Sequence, residues 1–217
     1  YRRQRQMCIR DRRGVAGEAV IDHACKVVTA LLPSVDAIIF EDYGKGFLSQ
    51  SLKDRVTAIA RDSGKFISAD PNPLNPLNWT GVDLLKPNRL EAFAMAGLRD
   101  PGATADPLSD AALQTVGSQL LQKWNLPGLL VTLGEHGMIL FQANAAPYHT
   151  PTRAREVFDV SGAGDTAIAL YTLAICAGAT PAEAAEISNH ASGVVVAKLG
   201  TATLTAEELQ SAFHKNA

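Results

Sequence analysis

Asp159-Val160-Ser161-Gly162-Ala163-Gly164-Asp165, followed by an apolar run through Ala177, is the stretch on which the reading of this chain turns. Two glycines around an alanine, then a carboxylate and a helix-like segment, predict a tight turn opening a helix. The first N–H groups of a helix have no partner within it, and the helix dipole favours an anion there. Small residues let a phosphate oxygen approach the main chain. Asp165 then stands where a buried carboxylate can take a proton from an alcohol attacking phosphorus. The stretch is not a Walker A loop, because the lysine and Ser/Thr of that motif are absent. Nor is it the dinucleotide fingerprint, which needs a third glycine and an early position. Taken alone it licenses a helix-end phosphate site, with an ordinary strand-to-helix turn as the plain alternative.

The 217 residues are 47% hydrophobic, enough to bury the core of one domain. A net charge of −2 provides no basic surface for nucleic acid or an anionic membrane. Cys8, Cys25 and Cys176 are scattered, without metal-ligand spacing or a disulfide pattern, which fits a reducing compartment. No apolar run reaches the roughly 18 residues of a membrane-spanning helix, and no signal-peptide pattern opens the chain. The expectation is a soluble cytoplasmic enzyme. Residues 1–13, YRRQRQMCIRDRR, read as a solvated basic tail or as the translated read-through of a sequencing adapter. The second reading is preferred, and the segment is set aside as non-native.

Outward from the Asp159 stretch, strand and helix signals alternate. Helical spacing over Gly17 to Leu32 stops at Pro33. Strands are expected at Asp36 to Phe40, Lys65 to Ala69, Asp83 to Leu85, Leu129 to Leu133, Met138 to Gln142, Tyr148 to Thr152 and Glu156 to Asp159. Helices are expected from a Ser49 cap to about Arg61, over Arg89 to Ala96 with Gly97 as its stop, and from a Ser109 cap to about Trp124. Ala163 to Ala177 is apolar almost all round, as a core helix would be. Thr180-Pro181-Ala182-Glu183 forms a capping box, and Thr205 to Glu208 repeats it. This alternation predicts an α/β layered fold with a largely parallel sheet. In such folds ligands bind beyond the C-terminal strand ends. Five polar or glycine-rich stretches fall there: 42–46, 70–73, 86–91, 132–137 and 159–165.

Three more stretches carry chemistry. Thr132-Leu133-Gly134-Glu135-His136-Gly137 reads as a nucleotide loop or as a plain hairpin turn. Asn88-Arg89-Leu90-Glu91 offers the hard oxygens that magnesium prefers, or is a helix cap with a surface glutamate. Asn189 is a polar group late in a helix, and His190 beside it is taken as structural.

Together with the Asp159 stretch, these motifs resemble the ribokinase-like, phosphofructokinase-B type carbohydrate kinases, in family order over roughly Val35 to Leu209. The resemblance implies a three-layer α/β sandwich and ATP with Mg²⁺ as cofactors. It implies Asp165 as catalytic base, and the amides of Gly162, Ala163 and Gly164 as the anion hole. Asn88, Glu91, Thr132, Gly134, Gly137 and Asn189 fall to the nucleotide, with Glu91 holding magnesium through water. The family's usual threonine two positions after Asp159 is Ser161 here, which keeps the hydroxyl. Glu41-Asp42-Tyr43-Gly44-Lys45-Gly46 and Gly193 to Thr203 are similar to heptose-phosphate kinases. The nearest resemblance is to the kinase domain of the bifunctional D-glycero-β-D-manno-heptose-7-phosphate kinase/ADP-heptose synthase. It implies phosphorylation at C1 of the heptose 7-phosphate. Asp42 and Lys45 would then face a substrate or nucleotide phosphate, a structural salt bridge being the plain reading of Lys45. Asp70 is held as a nucleotide-side residue.

Nothing before Val35 resembles the family's N-terminal glycine pair, sugar-contacting surface or β lid. Residues 14–217 are therefore expected to be the C-terminal two-thirds of a kinase domain, with its N-terminal strands and lid missing. The expected partners are a sugar phosphate and ATP, without nucleic acid or membrane, and a homodimer through the missing lid. Two other readings stay open: a related kinase of ribose, fructose or fructose phosphate, and a non-catalytic nucleotide-binding fragment.

Overall fold

Apolar side chains that alternate along the strands decide which helix covers each face of the sheet. The computed structural model describes residues 14, 16–154 and 158–214. Residues 1–13 and half of the strand expected at Glu156 to Asp159 lie outside these, and Phe158 and Asp159 are not part of a strand. The chain runs α1 (Glu18–Leu31), β1 (Ala37–Glu41), α2 (Gln50–Asp62), β2 (Phe66–Asp70), β3 (Leu84–Leu85), α3 (Arg89–Ala96) and α4 (Ala111–Trp124). It continues through β4 (Gly128–Thr132), β5 (Met138–Gln142), β6 (Ala145–Thr150), α5 (Ala163–Cys176), α6 (Pro181–Val196) and α7 (Ala206–His214).

The six strands lie in chain order in one sheet. β1 to β4 are parallel and β5 and β6 antiparallel, so the expected parallel sheet carries a hairpin at one edge. Ile67, Leu129, Val131 and Ile139 point into a core with α1 to α4. Leu84, Leu130 and Leu140 point the other way, against Ala167, Tyr171 and Ala184 of α5 and α6. Covering both faces satisfies strands too apolar for water on either side, and each fully buried leucine contributes about 2 kcal/mol. The result is the expected three-layer sandwich. Ser68, a polar residue on the α5 face, is satisfied by Thr172 at 2.8 Å.

Helix starts follow their caps. Ser49 accepts from the Leu52 amide, and Asn88 and Thr180 close full capping boxes with Glu91 and Glu183. At α4 the cap is Asp110 rather than Ser109: Asp110 accepts from the Leu113 amide, and Ser109 closes a 3-10 turn before it. The helix opened by the Asp159 stretch departs further from expectation. Ala167, Ile168 and Tyr171 of α5 are buried, but Leu173 is 62% exposed. α5 lies over β1 and β2 at the sheet edge, and no described element covers its outer flank.

Gly117 of α4 has no room for a side chain, since an added Cβ would lie 2.6 Å from the Phe141 ring. Alanine here should destabilise the fold by about 1–3 kcal/mol, overpacking outweighing the roughly 1 kcal/mol gain in helix propensity. Urea unfolding measures this; equal or greater stability would mean that the ring re-seats without strain.

Candidate active site

Parallel pairing ends β1 and β2 at the same level and sets Glu41 directly across from Asp70. Two carboxylates side by side repel. The chain answers with Lys86, the residue after β3, whose buried Nζ lies 2.9 Å from Asp70 Oδ2. Burial still pushes the Asp70 carboxyl above its ordinary value, although Lys86 pulls it down. Among the described residues Glu41 has no such ion pair: burial first, then Asp70 and Asp165, push its pKa up to about 7 against the pull of Lys86.

The Asp159 stretch closes over this pair. Asp159 Oδ1 accepts from the Ser161 amide at 2.9 Å, and Oδ2 accepts from Gly200 at 3.1 Å. These backbone bonds, the Ser161 amide foremost, hold Asp159 below the usual carboxylate range. Gly162 caps α5 at φ +80°, a conformation that favours glycine. The Ala163 amide bends back to the Val160 carbonyl at 3.2 Å, so it is engaged within the turn. The Gly162, Gly164 and Asp165 amides make no hydrogen bond among the described residues. A Cβ on Gly164 would lie 3.3 Å from Lys86 Nζ, so the buried ammonium sits directly against the glycine turn. Lys86 closes no recognised motif, which is why the sequence did not single it out. Its signal was a lone lysine at the end of an otherwise apolar strand.

Asp165 was expected to be buried and is exposed. It stands on the first turn of α5, at the rim of the sheet. Tyr43 donates to its Oδ2 at 3.4 Å. Asp165, Glu41 and Asp70 each bring an oxygen within 4.8 Å of the others.

Beside the turn opens a cavity of about 420 Å³, within the range of small-molecule sites. Its lining joins Thr132, Gly134 and Gly137 to Ala163, Gly164 and Asn189, six expected site residues from three separate stretches. The two loop glycines serve different ends. Gly134, at φ +60°, has open space where a Cβ would be. A Cβ on Gly137 would lie 2.1 Å from the Thr150 carbonyl, so its smallness admits the chain's own β6 exit rather than a ligand. Asn189 is 3% exposed and spends its amide on Thr150 Oγ1 (2.9 Å) and the Pro151 carbonyl (2.6 Å). It therefore shapes the cavity wall. His190 stacks on Phe213 with centroids 4.0 Å apart, in keeping with a structural role.

Asn88 and Glu91 lie at the rim rather than in the cavity lining. Asn88 bridges to Thr132 in parallel. Glu91 Oε2 accepts from the Asn88 amide at 2.8 Å, while Oε1 makes no hydrogen bond among the described residues. Glu91 thus caps α3 and still offers one hard oxygen of the kind magnesium favours. Asp42 is buried and accepts from the Gly44 amide and the Asn75 side chain, both at 2.8 Å. Its carboxylate pins the 42–46 loop, and Lys45 in that loop is half-buried.

Two measurements check this electrostatic arrangement. Lys86→Met strands Asp70 and should cost about 3 kcal/mol in urea unfolding at pH 7. Adding Asp70→Asn should recover part of that loss; a Lys86→Met protein as stable as the parent would show the ion pair to be inconsequential. Glu41, raised above its unfolded value, favours the fold in its protonated form and loses that contribution as pH rises from about 4.5 through about 7. Glu41→Gln should therefore melt a few degrees higher than the parent at pH 8, and the two should converge near pH 4.5.

Residues 13–208 match the pfkB family carbohydrate kinases. The chain is 41% identical over 183 residues to the bifunctional protein HldE of Erwinia tasmaniensis, covering 84% of this chain and 36% of that protein. To HldE of Nitrosococcus oceani it is 41% identical over 196 residues, 87% of this chain and 39% of that protein. It spans less than half the length of either relative. In fold it is similar to Arabidopsis thaliana ribokinase complexed with ribose and ATP, with a TM-score of 0.71 at 17% identity over 91% of this chain and 59% of that one. Escherichia coli phosphofructokinase-2 in complex with potassium gives a TM-score of 0.75 at 13% identity over 93% of this chain and 63% of that one. With its family matched over nearly its whole length and its sheet, turn and cavity assembled as described, the chain belongs to the pfkB family of carbohydrate kinases.

Proposed function

We propose that this chain is the nucleotide-binding and catalytic part of an ATP-dependent kinase that phosphorylates C1 of D-glycero-β-D-manno-heptose 7-phosphate. The observation that carries the kinase reading is the cavity joining the 132–137 loop and Asn189 to the Gly162–Asp165 turn. A nucleotide seated there would direct its terminal phosphate toward the glycine turn, where unspent amides and the α5 dipole favour negative charge. Asp165 accepts the proton of the attacking sugar hydroxyl. Lys86 adds positive charge beside the turn, and Gly164 leaves the backbone open to the phosphoryl group. Glu91 is the residue to hold Mg²⁺ through water; the ion would neutralise phosphate charge. The heptose assignment rests on the 41–46 element and the 193–203 exit. The identity to proteins named HldE supports the same direction. Lys45 is the group proposed for a phosphate, and a homodimer the proposed assembly.

Asp165→Asn should lower transfer by about 10²–10⁴-fold while leaving ATP affinity within a few fold. Transfer is followed by ADP release with heptose 7-phosphate, ribose, fructose and fructose 6-phosphate as acceptors. Full activity in the variant removes Asp165 as the base, and a preference for another sugar moves the substrate assignment.

A further inference from the structure

Asp165 stands in a crowded field of negative charge. Glu41 and Asp70 reach within 4.8 Å of it, and among the described residues the one ion pair Lys86 makes is with Asp70. Repulsion at that range favours swinging the Asp165 side chain outward. Among the described residues one side chain donates to it: the Tyr43 hydroxyl, 3.4 Å from Oδ2 and 122 residues away in sequence. Tyr43 leaves β1 immediately after Glu41 and Asp42. Its backbone is held in place, because buried Asp42 just before it accepts from the Gly44 amide just after it, and from the Asn75 side chain. The ring itself is 63% exposed, so packing does not explain its position. A rigidly mounted aromatic with a free face and its hydroxyl on a carboxylate is a costly arrangement for a loop that needs only to turn. Burial, then the charges of Asp165 and Glu41, hold the phenol above its ordinary value, as the geometry requires.

We propose that Tyr43 is a positioning residue for phosphoryl transfer: its hydroxyl holds Oδ2 of Asp165 and turns Oδ1 to the acceptor hydroxyl, and its ring gives the sugar a face to pack on. The inference rests on the kinase reading above. Sugars present C–H faces that pack on aromatic rings, and a tyrosine loses little side-chain freedom in offering one.

Tyr43→Phe removes the hydroxyl and keeps the ring, whereas Tyr43→Ala removes both. In the full 217-residue chain with MgATP, Tyr43→Phe should lower kcat tenfold or more and leave KM for ATP and sugar within twofold. Tyr43→Ala should in addition raise KM for the sugar fivefold or more, with both variants melting as the parent does. Parent-like kcat in both variants overturns the proposal. So does a joint loss of kcat, ATP affinity and melting temperature, which would make Tyr43 structural. The contact is also read without turnover. Ultraviolet titration of the parent minus that of Tyr43→Phe isolates this phenol, which should ionise at lower pH once Asp165→Asn is introduced. An unchanged titration overturns the contact. A parent chain that phosphorylates no sugar counts against the kinase reading, and the titration then decides this inference by itself.

Discussion

The contact between Lys86 and Asp70 is the constraint on which the rest of the site depends. β1 and β2 end in register, so Glu41 and Asp70 face each other across the sheet, and without a cation the strand ends would repel. Lys86 supplies that cation from β3, one strand further along, and so ties three strand ends together. The same ammonium bears on Gly164, which makes the glycine turn part of this electrostatic unit. A larger residue at Gly164 would have to displace either the ion pair or the helix. The buried pair costs desolvation that its Coulomb attraction only partly returns. Its value lies in fixing where negative charge is tolerated and where it is not.

Charge is unevenly compensated around that centre. Three carboxylates share one lysine, and Glu41 answers by holding a proton up to about pH 7. Asp165 is left exposed and nearly unsupported, with Tyr43 as its one side-chain donor among the described residues. Asp165 is exposed, against the burial expected of it, and the base proposed for it would need such access to an acceptor. The neighbouring cavity is built by the opposite means, through backbone packed closely on backbone. Gly137 and Gly193 admit the 150–154 segment, and Asn189 fastens it with two short hydrogen bonds.

Much of this was legible in local sequence. Proline, glycine and capping residues act within a few positions, so Pro33, Ser49, Asn88, Gly97 and Thr180 marked helix ends that the structure reproduces. Where two capping candidates stood side by side, the choice of Asp110 over Ser109 depended on distant partners. Arg89 reaches Asp110 Oδ2 at 2.7 Å and fixes the side chain that caps α4. The misreading of α5 has the same root. Its composition is apolar all round, but burial depends on what packs against each flank, and Leu173 faces no described element.

The sequence by itself determined the alternation of strand and helix, the largely parallel sheet, and the glycine turn that opens a helix at Asp165. Those features arise from backbone geometry and apolar periodicity, which act locally. Only the tertiary structure decided that Lys86 lies beneath Gly164, that Tyr43 reaches Asp165, and that Gly137 and Asn189 shape the cavity through the chain's own backbone. Each of those contacts joins residues far apart along the chain, and its energy depends on distance and burial, which no local pattern encodes.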